Sequence, residues 1–225
     1  VEHAGRDDEM AYQEMLKGLE LKRDICRILI GLNQKKVTGD TTTARKTGAV
    51  LSWIKTNTSK GATGADPGNS DGATSRTDGT TRAFTEALLK TVLASAWNNG
   101  GKPDVCMVNS FNKQQFSTFT GRSSPVEEAS SKKIVAAVDA YESDFGRIKV
   151  VANRFQRCTG LSDTVSEAFV LQMDMWAIAA LKGRRMLSIP LARTGDNIKK
   201  TIVSEYARES RNEAASGIVA DLTVA

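Results

Sequence analysis

The first part of the chain carries a helical pattern of apolar residues. Seven small or apolar residues recur at spacings of three, four and seven, which places them on one face of a helix: Ala11, Met15, Gly18, Leu19, Ile25, Cys26 and Leu29. Acidic residues at the start and basic residues near the end suit the helix dipole, and Gly31 supplies a stop signal. We expect a helix over 7–30, roughly 36 Å long. Because the apolar stripe is narrow, one whole face of this helix should be exposed.

The middle of the chain has patterns that alternate between helix and strand. Residues 48–58 predict a short buried element, and 59–80, rich in Gly, Ser, Thr and Asp, predict a long loop. Its part 66–80 should be surface-mounted and mobile. A helix is expected over 81–101, with four residues facing inward: Phe84, Leu88, Val92 and Trp97. Residues 103–109 predict a buried strand, followed by a helix capped by Ser110. This order predicts helices packed on a sheet.

The C-terminal half has the two-residue period of strands. Two strands should meet at a turn over 144–146, and two more at Met173 and Asp174. Two long strands should flank a turn over 194–197, and 214–224 should return to the core. The long hairpin has more polar surface than one domain would bury, so we expect it to reach a neighbouring molecule.

Composition narrows the classes of protein. At 225 residues and 40% hydrophobic, the chain can bury one substantial core or two small ones. No segment approaches the ~18 uninterrupted apolar residues of a membrane span. The net charge of +5 is spread thinly, which does not favour a sequence-specific DNA reader. The three widely spaced cysteines fit reduced thiols better than a disulfide framework.

The sequence contains no recognisable motif for catalysis or metal binding. His3 is the only histidine, which removes His-based triads and the common zinc motifs. Residues 39–48 lack the G-K-[ST] ending of a phosphate loop, and 66–72 lack the spacing and the closing Glu of a calcium loop. The letters D-F-G at 144–146 fall in the predicted hairpin turn rather than in a kinase site. We therefore predict no enzyme, no cofactor and no metal.

Five segments, in this order, resemble the tailed-phage major capsid protein of the Hong Kong 97 type, and most of all the SU-ten-like major head proteins. The resemblance spans nearly the whole chain. Its segments are HAGRDDEMAYQ, TTTARKTGAVLSWIKTN, TEALLKTVLASAWNNGGKPDVCMVNSFNKQQFSTFTG, VDAYESDFGRIKVVANRF and PLARTGD…SEYARESRNEAASGIVADL.

The resemblance implies an α+β fold of the Hong Kong 97-like capsid type. This fold has a long spine helix, an A-domain of helices on a mixed sheet, and a long P-domain β-hairpin. Residues 1–47 and 183–211 would form the P-domain, and 48–182 and 212–225 the A-domain. In the family an N-terminal arm and an E-loop precede the spine helix. Neither is recognisable here, so we expect the sequence to cover only part of the mature polypeptide.

The same resemblance implies a structural protein without catalysis. Copies of the chain would assemble into hexamers and pentamers of an icosahedral head shell around double-stranded phage DNA. The shells would assemble in the host cytoplasm, and the protein would be part of the virion capsid. No membrane partner is expected. The DNA would be contacted non-specifically through the mild positive charge. Scaffold, portal and decoration proteins are candidate further partners.

Two alternatives stay open on the sequence alone. The first is an encapsulin-like nanocompartment shell, which would hold a protein cargo instead of nucleic acid. The second, from a different class, is a stand-alone nucleic-acid-binding module, which would be a monomer with salt-dependent affinity for DNA.

Eight charged residues are candidates for the interface between subunits. Four belong to the predicted spine helix and four lie near the tip of the long hairpin, where burial within one subunit would leave charges unpaired. They are Arg6, Glu14, Lys17 and Arg27 in the first group, and Arg193, Asp196, Lys199 and Lys200 in the second.

Overall fold

The N-terminal helix is the longest element of the computed structural model, which describes residues 8–119, 140–157 and 163–224. Helix α1 spans Glu9–Cys26 and continues as a π-helical turn, Arg27–Gly31, giving 23 helical residues. Asp8 caps its start, because its carboxylate accepts hydrogen bonds from the N–H groups of Met10 and Ala11. The predicted helix is confirmed over the described residues.

Gly31 ends the helix at a point of close contact with another segment. A Cβ at this position would lie 2.0 Å from the carbonyl oxygen of Phe155, which is far inside van der Waals contact. Only glycine lets the two backbones approach so closely. The next residue, Leu32, is extended.

Two further helices and ten strands follow among the described residues. The helices are α2 (Glu86–Asn98) and α3 (Ser110–Phe116). The strands are β1 (Asn57–Ser59), β2 (Val105–Val108), β3 (Ala140–Ser143), β4 (Gly146–Ala152), β5 (Ser166–Leu171), β6 (Trp176–Ala180), β7 (Leu187–Pro190), β8 (Lys200–Val203), β9 (Tyr206–Ser210) and β10 (Gly217–Leu222).

A mixed six-stranded sheet in the order β1-β10-β5-β2-β4-β3 forms the centre of the fold. The pairs β1–β10 and β2–β4 are parallel, and the other three are antiparallel. β5 and β10 are buried along their whole length, because both faces of the sheet are covered. The prediction that 214–224 re-enters the core is confirmed.

Alternate residues of β5 face two separate parts of the core. Ala168 and Val170 pack with α2 and α3, whereas Phe169 and Leu171 pack with the short 3-10 helix Val50–Ser52 on the opposite face. The predicted helix-strand-helix unit is confirmed by α2, β2 and α3. The first face is the larger, and it includes the side chains of Phe84, Phe116 and Tyr141.

Two sequence predictions about the helices are wrong. Trp97 does not face inward: its side chain is 47% exposed and stacks against Phe145, with 5.5 Å between ring centroids. The cap of α3 is Asn109 rather than Ser110, because the Asn109 side chain accepts the hydrogen bond from the Asn112 N–H.

The second strand of the predicted long hairpin is divided. β8 pairs with β7 in one two-stranded sheet, and β9 pairs with β6 in another. Ser204 and Glu205 interrupt the strand between them. The hairpin turn itself and the turn at 144–146 lie where they were predicted. The turn predicted at Met173 and Asp174 is the 3-10 helix Met173–Met175.

Residues 59–80 contain no helix and no long strand, as predicted, but they are not a simple surface loop. Arg76 is only 3% exposed and Gly72 is buried. The expectation of a surface-mounted segment is wrong at these positions, because ionic contacts described below hold the loop against the sheet.

Candidate functional site

Helix α1 lies on the surface of the subunit along its whole length. None of its residues with described side chains is buried, and Met15 and Leu19 are 54% and 43% exposed. The prediction that one face of the helix is exposed is confirmed, but Met15 and Leu19 of the predicted apolar stripe are exposed as well. Apolar side chains in such a position lose contact with water only if another surface covers them.

The strands β7 and β8 form a projecting hairpin, which we call the arm (residues 182–205). Its strands pair antiparallel from Leu187 with Val203 to Pro190 with Lys200. Large apolar side chains are exposed along it: Met186, Leu187, Ile189, Leu191 and Ile198, the last at 61%. Ile178 and Leu181 add to the same exposed apolar set just before the arm. Together with Met15 and Leu19, these residues make up most of the exposed large apolar side chains of the described chain.

The base of the arm is held by Glu205. Its carboxylate binds the guanidinium groups of Arg184 and Arg45, the latter at 3.1 Å. Its backbone N–H donates to the Arg184 carbonyl, and its carbonyl accepts from the Leu181 N–H. Gly183 lies between these contacts with φ +79°, a conformation that glycine adopts without strain. The chain can therefore change direction here and leave the β6–β9 pair.

A second contact joins the arm to α1. The Nζ of Lys200 lies 2.8 Å from Oε2 of Glu14, and the methyl group of Met186 lies against Gly18. Hydrogen bonds from Lys200 and from Ser188 lower the pKa of Glu14, and the Glu14 carboxylate raises the pKa of Lys200. We call the Glu14–Lys200 pair the latch.

The structure places the predicted interface residues in three ways. Glu14 and Lys200 pair with each other within one chain. Lys17 pairs with Glu20 at 2.7 Å on the exposed side of α1, and Arg27 lies half-buried at the start of the π turn. Arg193, Asp196 and Lys199 are exposed near the tip of the arm, where Lys199 donates to the Thr194 hydroxyl. Arg6 lies outside the described residues.

Sequence analysis missed the apolar character of the arm. The alternating pattern before the turn, which includes Leu187, Ile189 and Leu191, predicts only a strand, and alternation normally puts one set of side chains into a core. In this hairpin the contact with α1 covers only part of the strands, so Leu187, Ile189 and Leu191 stay exposed. A signal was available in the sequence, because apolar residues also stand at Met186 and at Ile198 beside the turn.

A cluster of buried charges fixes the loop 59–80 to the sheet. Arg76 pairs with Asp66 at 2.7 Å and approaches Asp221 at 3.7 Å. The Asp221 carboxylate also accepts hydrogen bonds from the N–H groups of Gly61 and Gly79. Because Asp221 belongs to the central strand β10, these contacts tie both ends of the loop to the core.

A neighbouring group of three charged residues is centred on Arg157. Arg157 binds Asp78 at 3.0 Å and Glu167 at 3.1 Å, and Glu167 is completely buried in β5. Burial raises the pKa of Glu167 to about 8, although the charge of Arg157 opposes the shift. Arg76, Arg157 and Glu167 are buried, whereas Asp78 is exposed. Both clusters connect the loop 59–80 to the rest of the subunit, so they support the fold.

The described residues offer no metal site and no activated nucleophile. No group of three or more His, Cys, Asp or Glu side chains among them could hold a metal ion. Burial raises the pKa of the Cys106 thiol to about 12, so it stays protonated and unreactive. Cys26 is half-buried and free, and Cys158 lies outside the described residues. Over the same part of the chain, no helix has the length and apolar character needed to cross a membrane.

An exposed helix and a projecting apolar arm are typical of a subunit that buries these surfaces in an assembly. The comparison with protein families identifies the class of protein. The family model of the SU10 major capsid protein matches residues 1–223, so the chain belongs to this family of phage major capsid proteins. A search of curated proteins gives no match.

Membership of the family confirms several sequence predictions. The chain is a structural protein of the phage head and not an enzyme, and its place is the virion capsid. Capsid proteins self-assemble, so the family match supports self-association of the chain. The two alternatives, a cargo-holding nanocompartment and a stand-alone nucleic-acid-binding module, are not supported by this match.

Proposed function

We propose that the chain builds an icosahedral head shell as hexamers and pentamers, with α1 and the arm as its main contacts between subunits. The observation that carries this proposal is the row of exposed apolar side chains along the arm, from Met186 to Ile198. Burying apolar surface contributes about 25 cal/mol per Å², so each such contact is modest. Closed symmetry then repeats the contact around every ring.

The same proposal assigns parts of the fold to the Hong Kong 97-like plan. In this assignment α1 is the spine helix, and residues 1–47 and 183–211 form the P-domain. Residues 48–182 and 212–225 form the A-domain around the six-stranded sheet. The pairing of β6 with β9 crosses the boundary at residue 182. We propose that this pair is the joint at which the P-domain arm is anchored.

The charges of the arm support a role in matching subunits to one another. Arg193, Asp196 and Lys199 are exposed near its tip. Exposed charges contribute little to the stability of a monomer, but complementary charges between surfaces fix orientation and increase the association rate. We therefore propose that the arm meets a neighbouring subunit through charged residues at its tip and apolar residues along its strands. Arg6, Lys17 and Arg27 remain proposed contacts of the spine helix.

The interior of the shell is proposed to hold double-stranded DNA, contacted without sequence preference. The net charge of +5 supports a weak electrostatic attraction that falls with salt. Contacts with scaffold, portal or decoration proteins stay predictions.

Sedimentation of the full-length protein tests the role of the arm. Replacing Leu187 and Ile189 with Ser should prevent particles from forming while the melting curve of the free subunit stays close to that of the wild type, because both side chains are already exposed. The matched control is Val150→Ser in the core, which should destabilise the subunit itself. Normal particles from the Leu187→Ser, Ile189→Ser variant would contradict the proposal.

A further inference from the structure

A groove of about 880 Å³ separates the segment 34–48 from the strand pair β6–β9. Its walls are partly apolar, with Ile28, Val37, Ala179 and Leu181 among the lining residues. It lies at the base of the arm, beside the ion pairs of Glu205. A groove with apolar walls can take up side chains from an extended segment of protein.

The charges that line the groove are unbalanced. Lys36, Arg45, Lys46 and Arg208 contribute four cations, and Glu205 is the one carboxylate among the lining residues. Glu205 is already bound by Arg45 and Arg184, and Lys36 pairs with Asp71 at 3.2 Å. No carboxylate partner is found for Lys46 or Arg208 among the described residues.

Arg208 is the deepest of these cations. It donates from Nη2 to the Leu29 carbonyl and lies over the Trp176 ring, 5.5 Å from its centroid. Its Nε is buried and has no hydrogen-bond acceptor among the described residues. Burial lowers the pKa of Arg208 to about 10, so the group stays charged near neutral pH. Arg208 as a whole is half-buried. A partly buried cation without a counter-charge is costly, and an anion bound beside it would reduce that cost.

We propose that the groove binds a segment of a second copy of this chain, with a carboxylate facing Lys46 and Arg208 and apolar side chains against the walls. The inference rests on the proposed shell, in which every subunit is surrounded by copies of itself. Charge complementarity indicates that the bound segment carries a carboxylate, because the groove has more cations than anions. A DNA duplex fits less well, because the walls are partly apolar and the duplex is too wide to enter the groove as far as the half-buried Arg208.

Chemical labelling and cross-linking of particles of the full-length protein test this proposal. The first measurement is acylation of lysines in particles and in free subunits, read by mass spectrometry. Lys35 is the matched control, because it is exposed in the same segment and does not line the groove. The second is zero-length coupling of lysine to carboxylate, with light and heavy isotopes mixed to separate contacts between chains from contacts within one. The Lys36–Asp71 pair supplies the internal standard for a contact within one chain.

The proposal predicts that Lys46 becomes several-fold less reactive in particles than in free subunits, with Lys35 changed less. It also predicts a coupling from Lys46 to an Asp or Glu of another chain. Lys46→Glu should reduce particle yield, whereas Lys46→Arg should not. Particles in which Lys46 keeps its full reactivity would contradict the binding of a second copy in the groove, but they would not contradict the shell. Protection of Lys46 that is present only in DNA-filled particles would identify DNA as the occupant of the groove, and would also contradict the proposal. If no particles form, both the shell and the groove are wrong.

Discussion

Lys200 Nζ lies 2.8 Å from Glu14 Oε2, although 186 residues separate them in the chain. This contact brings the arm to the long surface helix, and it joins two residues that the sequence had placed separately at contacts between subunits. Because the arm touches α1 at few other points, the pair is in a position to set the direction in which the arm projects.

Exchanging the two charges of the latch tests this role. Lys200→Glu should place two carboxylates together and release the arm from α1, and the double exchange Glu14→Lys, Lys200→Glu should restore the contact. We expect faster amide hydrogen exchange over β7 and β8 in the single variant than in either the wild type or the double exchange. A double exchange that behaves like Lys200→Glu would show that the latch does not position the arm.

Charge reversal at the tip of the arm tests the contact between subunits. Arg193→Glu with Lys199→Glu should leave the free energy of unfolding of the free subunit within about 0.5 kcal/mol, as for exposed sites. Particle yield, measured by sedimentation, should fall, because complementarity to the neighbour is reversed. The control is Arg193→Lys with Lys199→Arg, which keeps both charges. Normal particles from the reversed variant, or a subunit that no longer folds, would contradict the assignment.

Local patterns predicted the elements of the fold well. The spacing of apolar residues located α1, and the continuous apolar segments located β5 and β10. The turn at Gly146 followed from its position between two alternating stretches. These features depend on residues close in sequence, whose periodicity records the environment of each face.

Contacts between distant residues were not predictable in the same way. Trp97 contacts Phe145, which lies far from it in the sequence, and the burial of Arg76 depends on Asp66 and Asp221. The hydrogen bond from Gly61 to Asp221 spans 160 residues. The polar composition of 59–80 predicts an exposed loop, but the ion pairs of Arg76 bury part of it. The candidate surface was predicted as a set of charges, whereas its apolar part required the structure.

These contacts predict that Asp221 contributes to the free energy of unfolding of the subunit. It has φ +58°, a left-handed conformation that Asn also tolerates, so Asp221→Asn changes the charge with little backbone strain. The change weakens two hydrogen bonds and removes a buried counter-charge of Arg76, and should cost about 2–4 kcal/mol in the free energy of unfolding. The exposed Asp71→Asn is the control and should cost about 0.5 kcal/mol or less. Equal denaturation midpoints for the two variants would contradict the proposed anchoring of the loop.

Glu167 should give the subunit a pH-dependent stability. Burial raises its pKa from 4.5 to about 8, so the folded state binds a proton that the unfolded state releases between these values. The stability from this group is fully present below pH 4.5 and is lost as pH rises through about 8. Glu167→Gln should remove this fall, and the exposed Glu209→Gln should keep it. Urea denaturation of free subunits across pH 5–9 measures the slopes, and identical slopes in the wild type and Glu167→Gln would contradict the shift.

Electron microscopy of the purified full-length protein tests the shell most directly. We predict closed icosahedral particles built from hexamers and pentamers, with α1 and the arm of each subunit in contact with neighbouring copies. Heads isolated from virions should contain nuclease-protected double-stranded DNA. Contacts made without α1 and the arm would contradict their assignment, and a protein that stays monomeric and only binds DNA in a salt-dependent way would contradict the shell itself.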